Sequence, residues 1–401
     1  MSSMVPTGSQ SVKVSNLNEI ISLLRSCRDR RQPVVTVDSP VLRTYNLSRI
    51  EGALQIDFSA ISHCLIDPAK KLAVAGPGTK YSTIVQEAQS KGMIIDIEPI
   101  ACIDFTMGDW AHEPLRLLSA INSGIDGILR NVKVISPDRM FQTGYDNFPA
   151  NGGGYDLTKM YMSSGLSLGI PYEFAMPLRP IPDILLKKVY SFKKPEDAIR
   201  AGISMHKTGY PRIVKLRSAG FESMLSSGNA LSNEDNLVVK LEGNQSIIDA
   251  AEKSLDEIAK KSGGVAKDKS SDVPKFIDPT SISPSSWLIG ICACDSLELS
   301  TIINDLSKIA RQANKQFQYC VSDLDPNASI LVPMLQGPPS EETLGKIGSY
   351  LVDRRLPLRG NSSWNPVLGD SRAPVRIELV RGIKRYLDSQ MILNPHTMGV
   401  Y

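Results

Sequence analysis

Ser167 lies between two glycines in Gly165-Leu166-Ser167-Leu168-Gly169, the Gly-x-Ser-x-Gly spacing of a nucleophile elbow. That strained turn needs a helix directly after it. Here Pro171, Pro177 and Pro180 follow instead, and proline breaks helices. Hydrolysis by an activated serine is therefore set aside. Gly76-Pro77-Gly78 begins like a dinucleotide-binding turn, but Tyr81 stands where a third glycine is required. Asp96 and Glu98 come only after an intervening turn at Gly92, so neither is placed to bind a ribose. No Gly-Lys-Ser/Thr phosphate loop occurs. The histidines, His63, His112, His206 and His396, are not spaced as metal ligands, so no metal is expected. Cysteines at 27, 64, 102, 292, 294 and 320 form no Cys-x-x-Cys pair and fit neither a disulfide framework nor a zinc site. Cys292 and Cys294 alternate within an apolar run and read as small core side chains on one side of a strand.

The chain's 401 residues are enough for two or three domains, and 42% hydrophobic against 22% charged residues supports a packed core. A formal charge of +3 is too small for a dedicated nucleic-acid binder. No apolar run reaches the ~18 residues of a membrane span. Met1 to Val14 lacks the apolar core of a secretory signal, and with the cysteine pattern this fits a cytoplasmic protein.

A helix is expected from Asn16 to about Arg28, strands at Pro33–Val37, Gly52–Phe58 and 71–75, and a helix from Lys80 to Gly92 with Thr79 as its cap. Residues 104–182 are rich in glycine and proline, with a strand at Val132–Ile135. Beyond Pro182 the pattern changes to two α+β halves, each a small antiparallel sheet with helices on one face. The first has strands at Leu185–Phe192, Ile213–Leu216 and Leu237–Leu241 and helices from Pro195 to Lys207 and Gln245 to Lys261. The second has strands at Ser286–Cys294, Gln316–Val321 and Ser329–Met334 and helices at Leu297–Asn314 and Ser340–Asp353. Gly263 to Ser286 reads as a polar loop. A last helix is expected at Val375–Leu387.

Four stretches, in order, carry a resemblance. They are Val74-Ala75-Gly76-Pro77-Gly78-Thr79; Thr106-Met107-Gly108; Gly153-Gly154-Tyr155-Asp156-Leu157-Thr158-Lys159-Met160 leading to Leu168-Gly169-Ile170; and Ile383 to Asp388 leading to Ile392-Leu393-Asn394-Pro395. Together they resemble the FAD-linked oxidases of the vanillyl-alcohol oxidase and p-cresol methylhydroxylase type, nearest to the FAD-binding subunits of glycolate oxidase and D-lactate dehydrogenase. The resemblance implies an α+β fold: a two-subdomain FAD-binding domain over residues 1–182, a doubled, ferredoxin-like α+β cap over 183–370, and a segment 371–401 returning to the FAD domain. It also implies a cofactor, non-covalent FAD, held by Gly76, Gly78, Thr79, Thr106, Gly108, Gly153, Gly154, Tyr155, Ile170 and Asn394. Glycines would let backbone N–H groups approach the pyrophosphate, and the threonines would supply hydroxyls.

The implied activity is oxidation of a small 2-hydroxy acid by hydride transfer to FAD, with an iron–sulfur or paralogous flavoprotein subunit as partner and no nucleic acid. His112 is the candidate base. Arg354, Arg355 and Arg359 are candidates for the substrate carboxylate, with Arg359 a catalytic candidate beside His112. The sequence departs from the pattern at three places. Thr36 to Arg43 has no glycine and includes Asp38; Gly108 is followed by Asp109-Trp110-Ala111-His112-Glu113; and Ser163-Ser164-Gly165-Leu166-Ser167 replaces Gly-Ser-x-Gly. These departures keep a second reading open, a non-catalytic subunit that retains the fold without FAD and serves as an interaction partner.

Overall fold

A computed structural model describes residues 11–36, 50, 52–95, 97–99, 104–112, 118–120, 129–145, 157–162, 164–221, 234–271, 286–288, 291–337, 340–354, 356, 358–359 and 374–395. Two compact units are present: residues 1–97, 104–181 and 361–401 form one, and residues 98–103 and 182–360 the other.

The first unit opens with β1 (Ser11–Lys13), α1 (Leu17–Arg30), β2 (Val34–Thr36) and β3 (Leu54–Asp57). Its three strands pair in parallel in the order β1-β3-β2. Helix α1 starts where the sequence places it because the Asn16 side chain accepts from the Glu19 N–H, while the Glu19 carboxylate accepts from the Ser15 N–H. Ile20, Leu24 and Cys27 form its buried stripe. Next come β4 (Cys64–Asp67), β5 (Leu72–Ala75), α2 (Tyr81–Ser90), β6 (Met93–Ile94), β7 (Ile97–Pro99), α3 (Met107–His112), β8 (Leu118–Ala120), β9 (Asn131–Ile135), β10 (Met140–Gln142), α4 (Leu157–Met162), β11 (Ile170–Pro177) and β12 (Arg179–Pro180). Strands β10-β9-β11-β5-β4 make a five-stranded antiparallel sheet.

Thr79 is not the cap expected of it. Lys80 precedes α2 without a side-chain cap, and the Thr79 hydroxyl donates to the His63 carbonyl at 2.8 Å. Strands β1 and β4 escaped the sequence reading. The first is three largely exposed residues, and Leu65, the middle apolar residue of the second, is 60% exposed.

The second unit contains β13 (Ile184–Phe192), α5 (Pro195–His206), β14 (Pro211–Arg217), β15 (Asp235–Gly243), α6 (Gln245–Lys261), β16 (Val265–Ser271), β17 (Ser286–Leu288), β18 (Ile291–Asp295), α7 (Leu299–Gln312), β19 (Phe317–Leu324), β20 (Ala328–Gln336), α8 (Glu341–Asp353) and β21 (Leu358–Arg359). The two expected halves are joined through β14 and β19, with Leu216 opposite Val321 and Arg217 opposite Cys320. The result is one nine-stranded sheet in the order β16-β13-β15-β14-β19-β20-β18-β21, with β17 also on β20. Helices cover one face: a Cβ on Gly202 of α5 would strike Leu324, Leu237 and Val214.

Part of the expected loop from Gly263 is strand β16, paired with β13. It is an edge strand with a polar sequence, Lys267-Asp268-Lys269-Ser270-Ser271, the composition that keeps exposed edges from pairing with other chains. Cys292 and Cys294 are buried core residues, and burial pushes both thiols up to about 12.

Helix α9 (Pro374–Leu387) belongs to the first unit. Beyond it the chain runs beside β2. The Val34 N–H donates to Ile392 O at 2.8 Å, the Asn394 N–H donates to Val34 O at 2.7 Å, and Leu393 bridges Val34 in parallel.

Candidate active site

In the parallel sheet of the first unit, β2 ends at Thr36 and β3 at Asp57, so both strands present their carboxyl ends on the same side. Open parallel sheets bind ligands at that end. Three connections converge there. Gly76 to Thr79 lies against the Phe58–His63 connection: a Cβ on Gly76 would fall 2.3 Å from Ile61 O, and one on Gly78 2.4 Å from Ser59 O. Gly108 is equally confined, its hypothetical Cβ 2.2 Å from the Phe58 ring. Only glycine permits these approaches. Thr106 and Asp109 form a reciprocal cap at the start of α3. The Thr106 N–H donates to Asp109 at 2.8 Å, and the Asp109 N–H donates to the Thr106 hydroxyl at 3.2 Å.

The third connection is 164–169, leading into β11. Gly165 and Leu166 both adopt left-handed φ, 57° and 58°. For leucine this costs ~1–2 kcal/mol. Leu166 is 1% exposed, and burying a leucine side chain contributes ~1.5–3 kcal/mol, enough to hold the strained turn. The turn brings Ser164 and Ser167 inside, 2% and 1% exposed, and neither Oγ has a hydrogen-bond partner in the protein. Buried hydroxyls are ordinarily satisfied, so two orphans in one turn point to an acceptor that the polypeptide does not supply.

Residues from the chain's far end fix this turn. Lys384 Nζ donates to Ser167 O at 2.5 Å, Leu393 O at 2.6 Å and Asp388 Oδ2 at 2.7 Å. Asp388 in turn accepts from the Ile392 and Leu393 N–H groups. Lys384 is 2% exposed, and burial lowers its pKa while Asp388 pulls the other way. Asn394 completes the junction. It accepts from the Thr36 N–H at 3.1 Å and donates to Leu166 O at 3.3 Å. The end of β2, the serine turn and the C-terminal segment are thereby one hydrogen-bonded body.

Thr36, Gly76, Gly78, Thr79, Thr106, Gly108, Ile170 and Asn394 all fall in this assembly. The expected role of the glycine N–H groups is corrected. Gly76 donates to His63 O, Gly78 to Ile61 O and Gly108 to Pro77 O, so these donors are consumed within the protein. The glycines serve chain-to-chain packing, and the buried donors left without a protein partner in this assembly are the Ser164 and Ser167 hydroxyls. Sequence reasoning missed Ser164 and Ser167 because the turn departs from the glycine pattern, and missed Lys384 because a lysine near a helix end reads as solvated. His112 is buried at the end of α3. Arg354 is exposed, beside Asp305 and Glu298. Arg359 stands on β21, opposite Ile291. Gly153, Gly154, Tyr155, Arg355 and the segment 37–43 lie outside the described residues. A strand, not a helix, follows Gly169, so the elbow spacing does not make a nucleophile.

The fold is that of the p-cresol methylhydroxylase-type structures. Residues 9–137 match the family described as FAD binding domain. Glycolate oxidase subunit GlcD of Bacillus subtilis (strain 168) is 26% identical over 171 residues, which are 42% of this chain and 36% of that protein. The chain thus matches little more than a third of that relative's length. Among solved structures, 4-ethylphenol oxidase from Gulosibacter chungangensis superposes with TM-score 0.76 at 12% identity, covering 98% of this chain and 89% of the other. Substrate-bound p-cresol methylhydroxylase gives 0.74 at 14%, covering 97% and 88%. Alkyldihydroxyacetonephosphate synthase gives 0.72 at 14%, covering 96% and 76%. The residues present fit the cofactor: two buried hydroxyls await acceptors, and FAD offers phosphate, ribityl and flavin oxygens. Among the described residues, no helix is long and apolar enough to cross a membrane.

Proposed function

We propose that the chain is an FAD-dependent oxidoreductase, a glycolate- or D-lactate-oxidase-like subunit that oxidises a small 2-hydroxy acid. The observation that carries this reading is the buried serine turn beside the carboxyl end of β2, in the unit whose residues 9–137 match an FAD binding domain. Ser164, Ser167, Thr36 and Asn394 would hold the cofactor, with Lys384 fixing their relative positions. When bound, FAD accepts the hydride from the substrate's carbinol carbon. The protein's share is to orient the acid, exclude water and accept the hydroxyl proton, for which His112 is the candidate. Likeness to a glycolate oxidase subunit supports the substrate class and a place in a multi-subunit assembly; an iron–sulfur or paralogous flavoprotein subunit is the partner this reading expects.

Anaerobic addition of D-lactate or glycolate to the FAD-loaded protein tests this reading. Bleaching of the visible flavin absorbance is expected. Loaded protein that stays oxidised with both acids, while dithionite reduces it, would overturn the substrate class. Protein that takes up no FAD would favour the non-catalytic subunit.

A further inference from the structure

Helix α9 has two contrasting sides. Lys384 and Leu387, with Asp388 just beyond the helix, are buried on one side. Glu378, Leu379, Gly382, Arg385 and Tyr386 are exposed on the other. Leu379 and Tyr386 are 65% and 62% exposed, unusual for side chains of this size. They stand at i and i+7, two turns apart, and so form one apolar ridge along the helix. Glu378 and Arg385 have the same spacing and form a charged ridge beside it. At ~100° per residue, Gly382 falls between the two ridges and midway along both.

Two further observations concern this face. Glycine is among the poorest residues for a helix interior, yet a Cβ on Gly382 would meet nothing within 4 Å. Packing within the chain therefore gives no reason for glycine there, whereas close approach of a second backbone would. Tyr386 is held in place although exposed. The Arg139 guanidinium lies 4.1 Å from its ring centroid, and Arg139 Nε donates to Tyr386 O at 3.4 Å. A fixed, exposed aromatic loses little freedom when it is covered.

We propose that this face of α9 is a homodimer surface, on which a second copy of the chain packs its own α9 antiparallel with Gly382 at the crossing. The pattern is self-complementary under a two-fold axis perpendicular to the helix, which sets like ridges side by side and reverses their ends. Leu379 then packs on the partner's Tyr386, and Glu378 meets the partner's Arg385. A parallel pair would set the apolar ridge against the charged one. Within its own helix, Glu378 accepts from Arg381 through Oε1 at 2.6 Å, so Oε2 is the oxygen that meets the partner's Arg385. The proposal does not depend on the oxidoreductase reading.

Sedimentation velocity of the purified full chain tests it. One helix pair lies at the small end of specific interfaces, so the concentration series extends to about 500 µM. Wild type should pass reversibly from monomer to dimer. Gly382→Gln adds bulk at the crossing and improves helix propensity, so its melting temperature should match or exceed that of wild type while its dimer dissociation constant rises about tenfold or more. Glu378→Arg and Arg385→Glu should each weaken the dimer when alone. Mixed in equal amounts they should regain it, because each copy then carries the charges complementary to the other. A wild type that is monomeric throughout would overturn the proposal and leave the face to a different subunit. A dimer that none of the variants weakens would place the contact elsewhere and overturn it too. Single charge variants that do not dimerise when mixed would overturn the antiparallel pairing on which it stands.

Discussion

Replacing Ser164 and Ser167 by alanine should move protein stability and cofactor affinity in opposite directions. Both hydroxyls are buried and without partners in the polypeptide. An unsatisfied buried hydroxyl costs ~1–3 kcal/mol, so the cofactor-free Ser164→Ala and Ser167→Ala proteins should match or exceed the wild type in unfolding free energy, by up to about 1 kcal/mol after packing losses. With FAD present, each alanine forfeits a hydrogen bond worth ~1.5 kcal/mol if its acceptor is neutral, and up to ~3 kcal/mol if it is a phosphate oxygen. That corresponds to about a tenfold to hundredfold rise in Kd. The assay is urea denaturation of the flavin-free proteins, paired with titration of each by FAD through quenching of flavin fluorescence. Alanine variants that are clearly destabilised when flavin-free yet bind FAD as the wild type does would refute the argument, because the hydroxyls would then be serving the protein alone.

Lys384→Met should destabilise the protein by ~3–5 kcal/mol, since it leaves the Asp388 charge buried without its cation; urea denaturation checks this, and addition of Asp388→Asn should recover part of the loss. Gly108→Ala should cost ~1–3 kcal/mol despite alanine's better helix propensity, because its Cβ meets the Phe58 ring; a Phe58→Leu second change should relieve it. Burial raises the Asp138 carboxyl, but the Ser389 N–H and hydroxyl together with Arg28 outweigh that and hold its pKa below that of an ordinary aspartate. A depressed folded-state pKa means that its contribution to stability is full above the unfolded pKa and is lost as pH falls through the folded one. Unfolding free energies measured from about pH 5 down to about pH 2 should therefore fall less steeply in Asp138→Asn than in wild type.

Much of the fold was legible because periodicity and caps agree in it. The Asn16–Glu19 cap and the stripe Ile20, Leu24, Cys27 announce α1, and Gln245–Lys261 was evident from the same kind of stripe. Edge strand β16 was not legible, because its charges suit an exposed edge and imitate a loop. The site was legible as a set of segments but not as chemistry. Glycines at 76, 78 and 108 suggested backbone donors, whereas the structure commits those N–H groups to protein carbonyls. The residues left without a protein partner in that framework, Ser164 and Ser167, are ordinary serines in sequence. Only burial and the absence of a protein partner distinguish them. Lys384 is similar: nothing in Ile383-Lys384-Arg385 says which cation turns inward to hold residues 167 and 393 together.

The central claim is that the first unit holds FAD. Its most direct test is to saturate the purified protein with FAD, remove the excess by gel filtration, and count the flavin released on denaturation. The account predicts close to one FAD per chain, reduced sharply in the Ser164→Ala/Ser167→Ala double variant. A wild-type protein that emerges folded and colourless would contradict it.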